Sequence, residues 1–385
     1  MKVEKFIPGG QAIGTNSDGK KVFLWNALPG EEIIEWHIIK RKSSYDEAIP
    51  NVIADYSPYR VKNKDACFLS TSPWQILDYQ YELEQKSLLV QEIFREHGIL
   101  IDAPEIITDG KDYFYRNKME YALYYDHEKA KIFPAFHARG SHRKIPITNS
   151  SIERPEIFKK VLEIIDDLNA RGEEARKYQS LLLRCNQKGE VSGGLYENHQ
   201  PHPVFDNLKD TILGQEYSYS PNGFFQINLP VYELALKEIK KHIVTDNVLD
   251  LYAGVGTIGL SVARDRNLTL VEVDKSAFGE LLENSKNQEN ITTILEKSEN
   301  ILQNIRENQT VILDPPRAGC DRKLIDKLLE VSPKKIIYLS CNPATQARDV
   351  KILLEKYQIG LVKTFNFFPH TPHIENLVIL ERKNG

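Results

Sequence analysis

Two hydrophobic rhythms divide the chain. Up to about residue 55, short apolar alternations are broken by turn residues. Ser17-Asp18-Gly19 precedes Lys21-Val22-Phe23-Leu24-Trp25, Leu28-Pro29-Gly30 follows, and a further strand is predicted over 32–39. Period-two patterning with closely spaced turns predicts a small β-barrel. Ser72-Pro73-Trp74-Gln75 offers a capping serine, a proline at the first helical position and a glutamine at the third. A long helix is therefore predicted from there to about residue 96, carrying Ile76, Leu83, Val90, Ile93 and Phe94 on one stripe and closed by Gly98. Strand-like runs over 113–125, 131–136, 181–185 and 189–196 flank a predicted helix over 154–169, which gives an α+β central section.

Beyond about residue 213 strand and helix alternate. Strands are predicted over 247–251, 268–273, 291–295, 311–313 and 335–339, and helices begin near Thr257, Ser276, Arg322 and Pro343. A closing β pair covers 360–367 and 376–381. That order predicts an α/β, Rossmann-like, doubly wound sheet. The expected division is 1–57 for the barrel, 58–212 for the long helix and the α+β centre, and 213–385 for the sheet domain.

Charge adds little to this picture. Fifty basic residues against 54 acidic ones among 385 give a net charge of -4, so no global positive field announces a polyanion. Lys40-Arg41-Lys42 and the stretch holding Arg139, His142, Arg143 and Lys144 are local candidates, and each alone reads first as a solvated surface. Cys67, Cys185, Cys320 and Cys341 are scattered, with no C-x-x-C pair, which predicts neither metal nor disulfides and a reducing compartment. Met1-Lys2-Val3-Glu4-Lys5 lacks the apolar core of a signal peptide, and no run is long enough to span a bilayer. A cytoplasmic location with no membrane partner is expected.

The chemistry concentrates near the C-terminus. Cys341 sits in Ser340-Cys341-Asn342-Pro343, where a strand is predicted to end and a helix to begin, and the partial positive charge of a helix start favours thiolate over thiol. Asp250-Leu251-Tyr252-Ala253-Gly254-Val255-Gly256 continues into Thr257-Ile258-Gly259, so Gly254, Gly256 and Gly259 match G-x-G-x-x-G between a strand and a helix. That motif admits a nicotinamide dinucleotide. Asp250 before the loop repels a pyrophosphate but tolerates the cationic amino-acid end of S-adenosylmethionine, whereas Glu272 suits a ribose under either reading. Asp314-Pro315-Pro316-Arg317 lacks the aromatic residue that methylation of an exocyclic amine requires for stacking. Glu375, preceded by His370 and His373, is a candidate base. Carbon 5 of a pyrimidine is too weak a nucleophile to accept a methyl group unaided, and a thiol that adds to carbon 6 removes that obstacle.

Taken in order, Phe224-Phe225-Gln226-Ile227-Asn228, the stretch from Asp250 to Gly256, Glu272, the stretch from Asp314 to Gly319, Ser340 to Pro343 with Ala347-Arg348-Asp349, and Phe368 to Glu375 resemble the RNA uridine-5-methyltransferase family. The resemblance implies a class I methyltransferase domain that binds S-adenosylmethionine through Gln226, Tyr252, Glu272 and Asp314, with Cys341 as nucleophile and Glu375 as base. Gly9 to Glu31 resembles a TRAM domain, an RNA-binding barrel. Tyr115-Arg116-Asn117-Lys118 resembles the central-domain motif, in which Arg116 and Lys118, with Arg143 and Arg317, are expected to meet RNA. Relatives with an iron–sulfur cluster carry four cysteines before the long helix; Cys67 stands there alone, so no cluster is expected. The implied substrate is 23S ribosomal RNA, with the T loop of transfer RNA as alternative, and a monomer is expected. Rival readings are a non-catalytic RNA-binding protein, a nicotinamide-dependent oxidoreductase, and a cytosine methyltransferase, whose usual Pro-Cys nucleophile motif is absent.

Overall fold

The computed structural model describes residues 1–383. Its first section is a five-stranded sheet in the spatial order Val3–Phe6, Ala12–Thr15, Lys21–Leu24, Tyr45–Asp55, Glu32–Arg41. Alternate residues Val3, Ala12, Val22, Leu24, Ile33 and Ala48 are buried on one face. The expected barrel is not closed by a continuous ladder. Its outer strands meet at the single Lys2–Glu32 bridge, flanked by backbone hydrogen bonds from Val3 N to Glu31 O at 2.9 Å and from Ile33 N to Met1 O at 2.8 Å. This sheet abuts the C-terminal section at Gly10, which has φ +89, and a Cβ there would lie 2.1 Å from Pro372 Cβ. Trp74 Nε1 donates to Gly10 O at 2.9 Å from the other side.

The long helix spans Tyr79–Glu96, six residues later than its predicted start at Pro73. Asp78 caps it by accepting from Gln80 N and Tyr81 N. Ser72 and Gln75 form instead a buried turn, in which Gln75 Nε2 donates to Ser72 Oγ and Asp65 Oδ2. The Asp65 carboxylate also receives Ser151 N and Oγ, so it ties this segment to the central section, whose core holds Cys67.

Along the helix, Glu82 and Lys86 are fully buried and paired at 2.8 Å. Lys86 Nζ also donates to Asn366 Oδ1 and Phe368 O, while Glu82 accepts from His370 N. Burial pulls the Lys86 ammonium down in pKa and Glu82 pushes it back. Lys86→Met leaves a buried carboxylate without its counter-charge, and is expected to cost about 3–5 kcal/mol in denaturant unfolding. A change under about 1 kcal/mol would mean that the pair braces nothing.

The central section is a six-stranded antiparallel sheet in the order Gln200–His202, Val191–Glu197, Ser180–Cys185, Lys118–Asp126, Lys131–His137, Lys144–Pro146. Helix Pro155–Ala170 covers it with Ile157, Val161, Ile165 and Leu168, spaced as one buried helical face.

After the hairpin Leu208–Ile212 and Gln215–Tyr219 comes an eight-stranded sheet. Its order is Ile291–Leu295, Asn267–Glu272, Asn247–Leu251, Thr310–Leu313, Lys335–Ser340, Glu375–Arg382, Tyr357–Phe365, Ile106–Ile107. The predicted strands are all present, and the first five run parallel. Leu249, Leu251, Val311 and Leu313 join one core with helices Tyr79–Glu96, Arg322–Val331 and Pro343–Leu353. Val248, Leu270, Ile312 and Leu339 join the opposite core with helix Leu229–Lys241. Strand order reverses between Asn247–Leu251 and Thr310–Leu313, which opens a crevice at the carboxyl ends of those strands. Among the described residues no helix is long and apolar enough to cross a membrane, and no group of three His, Cys, Asp or Glu side chains is placed to hold a metal.

Candidate active site

Sheet register brings the two proposed reacting groups together. Lys335–Ser340 pairs antiparallel with Glu375–Arg382, with Ser340 opposite Asn376, so the next step along the ladder sets Cys341 across from Glu375. Asn342 caps the following helix by accepting from Ala344 N at 3.2 Å, and Pro343 takes its first position, as predicted. Asn342 Nδ2 and Thr345 Oγ1 both donate to Arg317 O, which fastens the loop after Asp314 beside the sulfur. Ala347-Arg348-Asp349 acts on the same loop: Asp349 Oδ2 accepts from Cys320 N and Tyr338 Oη, and Arg348 donates to Ala318 O. Gly319, at φ +79, has no room for a Cβ there, since it would lie 2.6 Å from Arg348 Nη2.

Cys341 is half-buried and Glu375 buried. The helix start does not yield the expected thiolate. Burial, with Glu375 and Asp314 nearby, raises the Cys341 thiol to about 11 against the opposing Arg317. Burial, then Asp314, also raises Glu375 well above the ordinary carboxylate range, and burial raises Asp314 to about 7. Alkylation of Cys341 by iodoacetamide in the free protein is therefore expected to rise with pH through about 11, since only the thiolate reacts. A midpoint at or below 9 would contradict that arrangement. His373 stacks edge-on against Phe368 and contacts Arg317 Nη2 at 3.3 Å. Burial, then Arg317, lowers it to about 4, so it is neutral at pH 7. His370 lies away from the sulfur, between Glu82 and Asp112.

At the crevice, register sets Tyr252, Glu272 and Asp314 level, each one residue past or at a strand end. Tyr252 has φ +64 and Gly254 φ +57, and Gly256, at φ +90, opens helix Thr257–Val262. Gly254 N donates to Glu272 Oε2 at 2.7 Å, while Val273 N and Asp274 N hold Oε1. A cavity of about 890 Å³ follows, with Tyr252, Glu272, Ser298, Pro316 and Cys320 on its wall. Asp250 is not on that wall. It lies fully buried below, with Oδ2 accepting from Gly259 N and Oδ1 unpartnered, and burial raises it to about 8. Gly254 and Gly256 shape the turn without lining the cavity. Gln226 is buried, its carbonyl receiving Asn117 Nδ2, and Phe224 before it stands 73 % exposed. Sequence reading missed Glu296 and Ser298, which follow the third strand of the alternation; their position at a strand tip is the signal that could have found them.

The basic candidates separate. Lys118 is spent within the protein: its ammonium donates to Asn222 O at 2.9 Å and Gly223 O at 3.1 Å, and burial, then Arg184, lowers it to about 8. Arg116 Nε donates to Lys118 O. Arg143 is exposed in the loop before Lys144–Pro146, and Arg317 is exposed at the mouth beside Cys341.

Residues 211–383 match the family model described as tRNA (uracil-5-)-methyltransferase. An uncharacterised RNA methyltransferase of Fusobacterium nucleatum is 28% identical, over 100% of this chain and 95% of its own length. Another from Bacillus cereus is 28% identical over 96% and 95%. Among solved structures, the tRNA (uracil-54, C5)-methyltransferase of Pyrococcus abyssi in complex with S-adenosyl-L-homocysteine superposes with a TM-score of 0.76 at 23% identity, covering 99% of both chains.

Proposed function

We propose that the chain, whose residues 211–383 match the tRNA (uracil-5-)-methyltransferase family model, methylates carbon 5 of a uridine in a structured RNA, with S-adenosylmethionine as donor and Cys341 as nucleophile. The observation that carries the reading is the placement of Cys341 opposite Glu375 at the carboxyl end of the same sheet whose strand tips Tyr252 and Glu272 line the cavity. The residues there fit the donor better than a dinucleotide. The loop N–H of Gly254, which a pyrophosphate would take, is given to the Glu272 carboxylate. Tyr252, Glu272, Asp314 and Gln226 would hold it, and when bound it supplies an electrophilic methyl group on a sulfonium.

The Cys341 thiol gives its proton to solvent, Sγ bonds to carbon 6 of the uracil, and the electron pair of the carbon 5–carbon 6 double bond moves to carbon 5. After carbon 5 has gained the methyl group, Glu375 takes the carbon 5 proton, the double bond re-forms, and Sγ leaves as a thiolate that regains a proton from solvent. Arg317 at the mouth opposes the two carboxyls at the sulfur and faces incoming phosphate. The target base must leave its stack to reach the half-buried sulfur.

The N-terminal sheet, read as a TRAM-like RNA-binding module, favours 23S ribosomal RNA; the T loop of transfer RNA is the second reading, favoured by the substrate of the Pyrococcus abyssi enzyme. Nucleoside mass spectrometry of both RNA classes, from cells with and without the gene, decides between them. Loss of 5-methyluridine from one class assigns the target, and unchanged levels in both refute the reading.

A further inference from the structure

A half-buried guanidinium stands without a counter-charge where the sections of the chain meet. Arg139 lies in the loop between strands Lys131–His137 and Lys144–Pro146 of the central section. Its guanidinium carbon sits 3.9 Å from the ring centroid of Trp25 in the N-terminal section, and its Nε donates to Leu69 O in the short helix Phe68–Thr71. One N–H and one face of the plane are thereby fixed, which leaves the two terminal amino groups as a fork. No carboxylate answers that fork. Burial lowers the Arg139 pKa with no acidic neighbour to oppose it, whereas Arg60 is paired with Glu31 at 2.6 Å and Arg154 with Glu156 at 2.7 Å. A charge held away from water in this way is costly until an anion meets it.

The fork lies near the reaction site. Trp74, just past that short helix, donates its backbone N–H to His370 O at 3.0 Å, and Gly10 of the N-terminal sheet packs on Pro372. The segments that grip Arg139 therefore also grip the loop that leads to His373 and Glu375. Burial, then Arg317, lowers the His373 pKa, and Lys86, Arg116 and Arg139 add to the effect, which places all four cations within electrostatic reach of that ring. Lys86 is buried and paired with Glu82, but the three arginines enter no ion pair among the described residues. Each is steadied through one N–H instead: Arg139 by Leu69 O, Arg116 by Lys118 O and Arg317 by His373 Nδ1. A chain of net charge -4 thus collects unpaired positive charge at the mouth beside Cys341.

We propose that Arg139 is a positioning residue that binds a backbone phosphate of the RNA, end-on through its two terminal amino groups, on the strand that carries the target uridine. Two phosphate oxygens match the spacing of a guanidinium fork, as a single lysine ammonium does not. The Trp25 ring excludes water from one face of the guanidinium, so a phosphate there displaces less hydration than at an open surface lysine. Arg116 and Arg317 then meet neighbouring phosphates, and a strand held at these points presents its flipped base to the sulfur. That the anion is an RNA phosphate rests on the RNA methyltransferase reading; the unpaired fork itself does not.

The test is the affinity of the full chain, with no methyl donor present, for an unmodified transfer RNA transcript and for 23S ribosomal RNA from cells without the gene, across about 50–200 mM salt. For the tighter-bound RNA, Arg139→Gln is expected to weaken binding about tenfold at the low-salt end. It should also make the slope of log affinity against log salt shallower by about 0.7–0.9, the share of one phosphate contact. Arg139→Lys keeps the charge but not the fork, so the slope is expected to stay while affinity falls about threefold. A mere brace between sections would lower the unfolding midpoint and leave the slope alone. A wild-type slope for Arg139→Gln, or a slope lost equally in both variants, overturns the proposal; should the glutamine variant fail to fold, wild-type affinity of the lysine variant overturns it. No methyl transfer is read, so failure here leaves the 5-methyluridine result standing, and the reverse also holds.

Discussion

Cys341→Ala is expected to lower methyl transfer to RNA by about four orders of magnitude or more, since no other group can activate carbon 5 once the attacking sulfur is gone. The sulfur is half-buried and belongs to none of the hydrophobic cores, so its loss opens no cavity of consequence and the unfolding midpoint should hardly move. RNA affinity should stay within about twofold, because the contacts that position an RNA lie elsewhere. Single-turnover transfer of a radiolabelled methyl group reads the loss. Transcripts that contain 5-fluorouracil read its cause: fluorine at carbon 5 cannot leave as a proton does, so the intact chain should be trapped as a denaturation-resistant complex and the alanine variant should not. Undiminished transfer by the variant, or equal trapping of both chains, would remove the nucleophile from the scheme.

The C-terminal sheet was legible because its strands, buried on both faces, are continuous apolar runs with turn residues at fixed offsets, and because Asn342 and Pro343 cap a helix in the way their chemistry dictates. Ile106–Ile107 was not. A two-residue strand carries no period, and only tertiary structure sets it beside Tyr357–Phe365. The start of the long helix was misplaced because Ser72 and Gln75 satisfy the local capping pattern while Asp65, remote in the chain, recruits Gln75 into a turn, leaving Asp78 as the cap. The candidate site divides in the same way. Residues at strand ends were found, since a strand end in a doubly wound sheet is a place that sequence can mark. Charges were misjudged where a distant backbone consumed them, as Asn222 and Gly223 consume Lys118, or where burial, added to by neighbouring carboxyls, outweighs a helix start, as at Cys341. Asp250 shows a further limit: the sequence reveals a carboxyl before the glycine loop, but not that Gly259, whose Cβ would lie 2.8 Å from Asp250 Oδ2, lets it turn under the helix rather than toward the crevice.

Cys341, Glu375 and Asp314 share one low-dielectric pocket in which a thiolate is disfavoured. In the proposed cycle, addition to carbon 6 therefore requires loss of the thiol proton, and the elimination that ends it requires Glu375 in its ionised form.

Glu375→Gln separates the two halves of that cycle. The amide keeps the shape and the place opposite Cys341 but cannot take a proton, so Sγ should still add to carbon 6 and carbon 5 should still gain its methyl group, while elimination stalls. Turnover is expected to fall by about 10²–10⁴-fold, the usual contribution of a positioned base. A methylated covalent complex with ordinary, unfluorinated RNA should accumulate in the first turnover, visible on a denaturing gel and by intact-mass measurement. Removal of the charge has a second expected result in the free protein: with Glu375 no longer holding the thiol up, the pH midpoint for alkylation of Cys341 should move down from about 11 toward the ordinary thiol range. A slow variant that shows neither the stalled complex nor the lowered midpoint would place Glu375 outside both roles and assign the proton to another group, of which His373, neutral and beside Arg317, is the nearest candidate.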